Sequence, residues 1–409
     1  IGDEEEPRLR LFVPSISISP EDVPPHLPIS TPPDYVEELA EAVGLFDTVG
    51  WDGYTNPLKD LEISEQAFMQ GVDHLFSWRE ALLMHELDQD DWEVLFHVEY
   101  GTDRTAHMMY RFFDPGHPHF DDKDKDGNLI REQEITAFGR TFKVTDCIKE
   151  TYREMDRILG LVMEKIASGS LGPNAKLMLI SDHGFQSYRY GVNLNVWLNR
   201  MGYLARKDEG AEIGAPDGID TGRSSGDALS FVDWERTRAY SMGLGKIYIN
   251  LKGREGQGIV ERSDFDALKQ EIIEKLVALR DPVEGHDNAQ VVLNAYDSLK
   301  VYDGPIEKNI TDYGDIILGF NKYYRVAGST SSGGYDRDSY ETFGIANNDE
   351  PWSGDHCGVD MPLVRGVFFS NFDVKAGAQP GLMDVAPTIL EMFGVAIPEE
   401  WDGAAIPLK

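Results

Sequence analysis

Residues 176–188, KLMLISDHGFQSY, constrain the fold of this chain more than any other stretch. Four apolar residues, Leu177 to Ile180, run directly into Ser181, Asp182, His183 and Gly184. A short continuous apolar run closed by turn residues suits a buried, parallel strand. Asp182 and His183 would then stand at its carboxyl end, where open α/β sheets place their ligands. Adjacent side chains point to opposite faces along a strand, so only a strand end lets this carboxylate and imidazole converge on one metal ion. The plain alternative is a polar turn after a strand, and an isolated Asp-His pair does not decide between the two.

A second apolar run, residues 93–100 (EVLFHVEY), reads as another buried strand and delivers Gly101-Thr102-Asp103-Arg104-Thr105-Ala106-His107. Asp103 at a strand end and His107 four residues on, in the first turn of a helix, can face the same point. A carboxylate and an imidazole so spaced form a workable half-site for a divalent metal, although Asp-x-x-x-His also commonly caps a helix. Between the two apolar runs, residues 142–168 carry Val144, Ile148, Tyr152, Met155, Ile158 and Val162 at helical spacing. The order strand–helix–strand predicts a βαβ-like unit with a right-handed crossover and a parallel sheet, and hence an α/β fold class.

The rest of the chain is arranged around these runs. Residues 1–35 are proline-rich and read as an extended arm. Helices are expected around 34–43 and 64–86. Residues 114–140 form an acidic insertion in which Asp122, Asp124, Asp126 and Gly127 match the first half of an EF-hand-type calcium loop. The closing position holds Gln133 instead of a bidentate Glu, so the expectation is a partial calcium site or a solvated loop. His117 and His119 read as surface histidines. Residues 189–310 read as a cap or insertion, with a helix at 193–201, strand-like alternation at 237–251 and a helix at 263–279. Lys246 and Arg254 there are expected to be solvent-exposed, the alternative being contact with an anionic substrate. A core strand at 315–320 follows, then Gly354-Asp355-His356, a strand at 363–369 and a helix at 383–393 capped by Asp384.

Composition removes several function classes. A formal charge of −34 argues against a nucleic-acid-binding surface, because phosphate backbones recruit Lys and Arg. No apolar stretch approaches the roughly 18–20 residues of a membrane span. Cys147 and Cys357 make no disulfide framework, and neither begins a C-x-x-C pair. The chain opens at Ile1 with an acidic segment in which no targeting signal is read, and no compartment is assigned. Its 409 residues suffice for one large or two ordinary domains.

Asp103, His107, Asp182, His183 and His356 together exceed what one tetrahedral ion needs. They suit two ions a few Å apart, the arrangement that clamps attacking and leaving oxygens in phosphoryl transfer. Mixed carboxylate and imidazole donors fit Zn²⁺ or Mn²⁺ better than Mg²⁺ or Ca²⁺.

The motifs TDRTAH, ISDHGF and SGDHCG, in that order, resemble those of the alkaline phosphatase superfamily, and most of all its type I phosphodiesterase/nucleotide pyrophosphatase branch. The resemblance implies a three-layer α/β/α sandwich. It implies that Asp103, His107 and His356 serve one metal, and Asp182 and His183 the second. The implied reaction is hydrolysis of phosphodiester or pyrophosphate linkages in a small phosphate-ester substrate, through a Thr or Ser phospho-enzyme. In the family a further aspartate and the nucleophile precede the position of Asp103. Neither is found here: Asp52, in VGWDG with Thr55 nearby, lacks a preceding apolar run. The chain is therefore expected to be the C-terminal portion of one such domain, without the family's N-terminal part. Two alternatives share the residues: a phosphoglycerate mutase-like phosphotransferase of the same superfamily, and a non-catalytic metal-binding fragment marked by the acidic loop. Neither cysteine carries the Cys-x-Pro/Ala-x-Arg of sulfatases.

Overall fold

The computed structural model describes residues 12–13, 16–48, 53–207, 228–302 and 313–409. These form a mixed α/β fold of helices and several small sheets. The chain divides into two compact units. The first is drawn from Ile1–Lys165, Ser187–Arg189 and Asn348–Gly354, the second from Ile166–Gln186, Tyr190–Asn347 and Asp355–Lys409.

The first unit is built on two helices. Glu65–Leu87 begins where the Ser64 hydroxyl accepts the Ala67 N–H at 3.3 Å, satisfying one of the orphan donors of a helix start. It buries Phe68, Met69, Val72, Leu75 and Phe76, and packs on the helix Gly101–Phe113, which buries Met108, Met109 and Phe112. The approach is close enough to demand glycine at one position. A Cβ on Gly101 would lie 2.1 Å from the Phe76 ring. The acidic insertion closes with a hairpin of Glu134–Ala137 and Arg140–Lys143, joined by Phe138 and Gly139 at φ 55° and 66°. Two positive φ values are what a two-residue type I′ loop requires. This hairpin takes the first residues of the helix expected at 142–168, which runs instead from Cys147 to Ser168.

Residues 93–100 correct the sequence reading. They form no strand and pair with none among the described residues, and Val94, Phe96, Val98 and Tyr100 are exposed. Arg79 donates to the Val98 carbonyl at 2.7 Å. An apolar run becomes a buried parallel strand only when neighbouring backbones flank it, and without them one face of its side-chain alternation is left in solvent.

In the second unit the core gathers Val192, Trp197, Tyr203, Ile247, Ile249, Phe265, Ile272, Ile316 and Phe320. One four-stranded sheet has the order Ala239–Ser241, Lys246–Ile249, Ile316–Phe320, Val292–Asp297, antiparallel at each step. The helices Phe265–Val277 and Leu194–Arg200 pack against opposite edge strands. Arg254, expected in solvent, is buried beneath this sheet. Its guanidinium lies 2.7 Å from Asp315 and 3.0 Å from Glu255, pairs that compensate its desolvation.

The organising strand is also smaller than expected. Met178–Ile180 is half-buried and runs antiparallel to Phe368–Ser370, with Ile180 opposite Phe368. The partner strand, expected at 363–369, shortens because Met361–Leu363 turn as a 3₁₀ helix before the chain straightens. Asp384 stands before the helix Val385–Met392 but does not cap it. Its carboxylate accepts from the Gly381 and Ala404 N–H groups at 2.8 and 3.0 Å. No helix among the described residues is long and apolar enough to cross a membrane.

Candidate metal centre

Asp103 and His107 come together in the first unit because they lie one turn apart on Gly101–Phe113. His107 is 3 % exposed, and its ring and backbone are held at three points. Nδ1 is 2.8 Å from the Gly354 carbonyl, Trp352 packs on the ring at 3.9 Å, and the Ser353 N–H donates to the His107 carbonyl at 2.7 Å. A carbonyl oxygen only accepts, so Nδ1 must carry the proton. In the neutral ring Nε2 then bears a lone pair, and it faces Asp103 Oδ1 at 3.4 Å. Asp103 Oδ2 accepts from Arg104 at 2.9 Å.

The second unit repeats the arrangement at the end of Met178–Ile180. His183 Nδ1 donates to the Gly184 carbonyl at 3.0 Å, and Nε2 lies 3.3 Å from Asp182 Oδ2. The His356 ring stacks on His183 with centroids 3.4 Å apart and planes 11° from parallel, while Phe185 meets His356 edge-on at 5.4 Å. Asp182, His183 and His356 are thus neighbours in this unit. Cys357 Sγ is 3.6 Å from His356 Nδ1.

These separations can be tested against what an ion requires. Two ligands on a tetrahedral ion with bonds of about 2.0–2.2 Å stand roughly 3.3–3.6 Å apart. The two carboxylate–imidazole pairs, at 3.4 and 3.3 Å, lie in that range. With the ring neutral, the Nε2 lone pair and the carboxylate of each pair can share one cation. The backbone carbonyls behind both rings supply the outer contact that metal-ligating histidines use to fix their tautomer.

Asp355 is a candidate site residue that spacing alone does not single out. The signal is the repeated Asp-His order of Asp182-His183 and Asp355-His356. Asp355, His356 and Cys357 bring one ligand atom each within 4.8 Å. Asp52 lies outside the described residues, and Thr55 is buried at the start of a short helix, Thr55–Lys59.

The acidic loop holds itself together through its own groups. Asp124 Oδ1 accepts from the Asp126 and Asn128 N–H groups, each at 2.9 Å, and Gly127 supplies the turn at φ 84°. Gln133 donates to Asp124 Oδ2 at 2.7 Å, so the closing position offers a donor where a calcium loop needs an acceptor. His119 is bonded to Asp122 at 2.8 Å and is partly exposed. His117 is not a surface residue: it is 3 % exposed, donates from Nε2 to the Tyr188 carbonyl at 2.8 Å and accepts the His119 N–H at 3.1 Å. Burial lowers its pKa to about 4.

No curated protein and no solved structure matches the chain. The family model described as type I phosphodiesterase / nucleotide pyrophosphatase matches residues 11–346. That span includes Asp103, His107, Asp182 and His183 and stops short of His356. A match over most of the length places the motifs in their family context: the chain belongs to the type I phosphodiesterase / nucleotide pyrophosphatase family.

Proposed function

We propose that the chain is a metal-dependent hydrolase of phosphodiester or pyrophosphate linkages in small phosphate esters, built on a three-layer α/β/α domain. Family membership supports the hydrolase class. The metal reading rests on one observation: two Asp-His pairs have Nδ1 bound to a backbone carbonyl and Nε2 turned towards a carboxylate at 3.3–3.4 Å.

We assign Asp103, His107, Asp182, His183 and His356 as ligands of two divalent ions, Zn²⁺ first and Mn²⁺ second, on the character of the donors. When bound, such ions supply Lewis acidity at the phosphoryl oxygens and a nucleophile at neutral pH. The chain's own contribution is orientation. Gly354 and Gly184 hold the two imidazoles in the Nδ1–H tautomer, and Trp352 and Phe185 restrict the positions of His107 and His356. A Thr or Ser phospho-enzyme belongs to the proposal, with no residue of this chain assigned as its nucleophile. A further calcium ion at Asp122, Asp124 and Asp126 is proposed as weak, because Gln133 donates into the loop.

The test combines elemental analysis with hydrolysis of bis(4-nitrophenyl) phosphate by the full-length protein. About two equivalents of Zn or Mn, with turnover abolished by His183→Ala, are expected. Undiminished turnover after that substitution would sink the assignment. Exchange of phosphate between phosphoglycerates without release of free phosphate would move the reading to a phosphotransferase.

A further inference from the structure

Asp355 is 1 % exposed, and both of its carboxylate oxygens are engaged. Oδ1 accepts the N–H groups of His356 and Cys357, each at 2.7 Å. Oδ2 lies 2.7 Å from Arg325 Nε, an ion-pair contact in which the N–H does not point along the line to the oxygen. Arg325 stands on Tyr323–Val326 and its side chain is 13 % exposed. Burying a carboxylate costs several kcal/mol unless neighbours compensate it. Two N–H donors and a guanidinium do so here, which is more than a chain turn requires.

Asp355, His356 and Cys357 bring one ligand atom each within 4.8 Å of one another, and Asp355 already has partners on both oxygens. Asp355 Oδ1 is taken by two amides and Oδ2 by a cation. The same two amide bonds fix the backbone at His356, and with it the direction in which the imidazole leaves the chain. That direction carries the ring onto His183 at 3.4 Å.

We propose that Asp355, held by Arg325, is a positioning residue that sets the His356 imidazole for metal ligation without itself ligating. The proposal rests on the metal-dependent reading of the site. Carboxylates that act on a ligand from behind are worth about 10–100-fold in metal affinity or activity.

The experiment uses the full chain loaded with cobalt(II), read by its visible ligand-field bands and by the cobalt dissociation constant, with thermal melting as the check on folding. Asp355→Asn keeps the shape and one acceptor but loses the charge opposite Arg325. Arg325→Met removes the cation. Each is expected to weaken cobalt binding about 10–100-fold and to shift the bands of the folded, loaded protein. Arg325→Lys, which keeps the charge, is expected to restore most of the affinity. A purely structural role would lower the melting temperature and leave the bands where they are. Should Asp355→Asn not fold, the two Arg325 variants carry the test. Folded variants with unchanged bands and affinity would overturn the positioning role. If His356→Ala also leaves cobalt binding untouched, the metal reading has failed instead, and the two failures are told apart.

Discussion

The Nδ1–H of His107 points into the carbonyl of Gly354 at 2.8 Å, so a backbone oxygen 247 residues along the chain decides which ring nitrogen is left for chemistry. His183 reaches the same state by donating to Gly184, its immediate neighbour. Two unlike local solutions yield one chemical outcome, a Nε2 turned towards a carboxylate.

Removal of either pair should therefore be felt at the reaction. His183→Ala and Asp103→Asn are each expected to reduce bis(4-nitrophenyl) phosphate hydrolysis by more than the roughly 10–100-fold typical of outer-shell residues. Steady-state rates in Zn²⁺- and Mn²⁺-loaded protein, beside metal content, provide the check. Variants that keep both full rate and full metal content would remove these residues from the site.

Gly101 opens the helix that carries Asp103 and packs directly on Phe76. A methyl at Gly101 would meet the buried Phe76 ring at 2.1 Å, so Gly101→Ala must push the two helices apart or turn the ring. The expected loss is about 1–3 kcal/mol in urea unfolding, the usual cost of an overpacked core. Adding Phe76→Leu should recover part of it, because neighbours that share one space are not additive.

His117 gives the fold a dependence on acid. Burial lowers its folded pKa from 6.5 to about 4, so the unfolded chain takes up a proton between those values that the folded chain refuses. The stability due to this residue is complete above about pH 6.5 and is lost as the pH falls towards 4, by up to about 3 kcal/mol. Denaturant titrations between pH 4.5 and 7.5 should show that slope. His117→Gln, which can still donate to the Tyr188 carbonyl, should flatten it.

The two thiols should differ in reactivity. Cys147 is fully buried, and burial pushes its thiol pKa well up, which suppresses the thiolate. Cys357 is only partly buried. Native protein is expected to release one equivalent from a disulfide reagent and a second only in denaturant. Cys357→Ser should abolish the native signal, and a native signal that survives would contradict the burial of Cys147.

Much of the local structure was legible in the sequence. Ser64 and Asn193 mark the starts of their helices, since a short polar side chain before an apolar periodic run caps wherever it occurs. The i, i+4 spacing brought Asp103 to His107, because a helix fixes that distance without help from elsewhere. The adjacency of Asp182 and His183 worked in the same way.

What the sequence by itself determined, then, is the set of candidate ligands, their local pairing and the family. Tertiary structure decided the rest, and for one physical reason: an apolar run or a charged side chain carries no record of its partner. Residues 93–100 needed flanking strands to be buried, and the described residues provide none. Arg254 and His117 look like surface groups until Asp315 and the Tyr188 carbonyl, far along the chain, take them in. Asp355 likewise reads as half of an Asp-His motif, and only the folded chain brings Arg325 to 2.7 Å from its carboxylate.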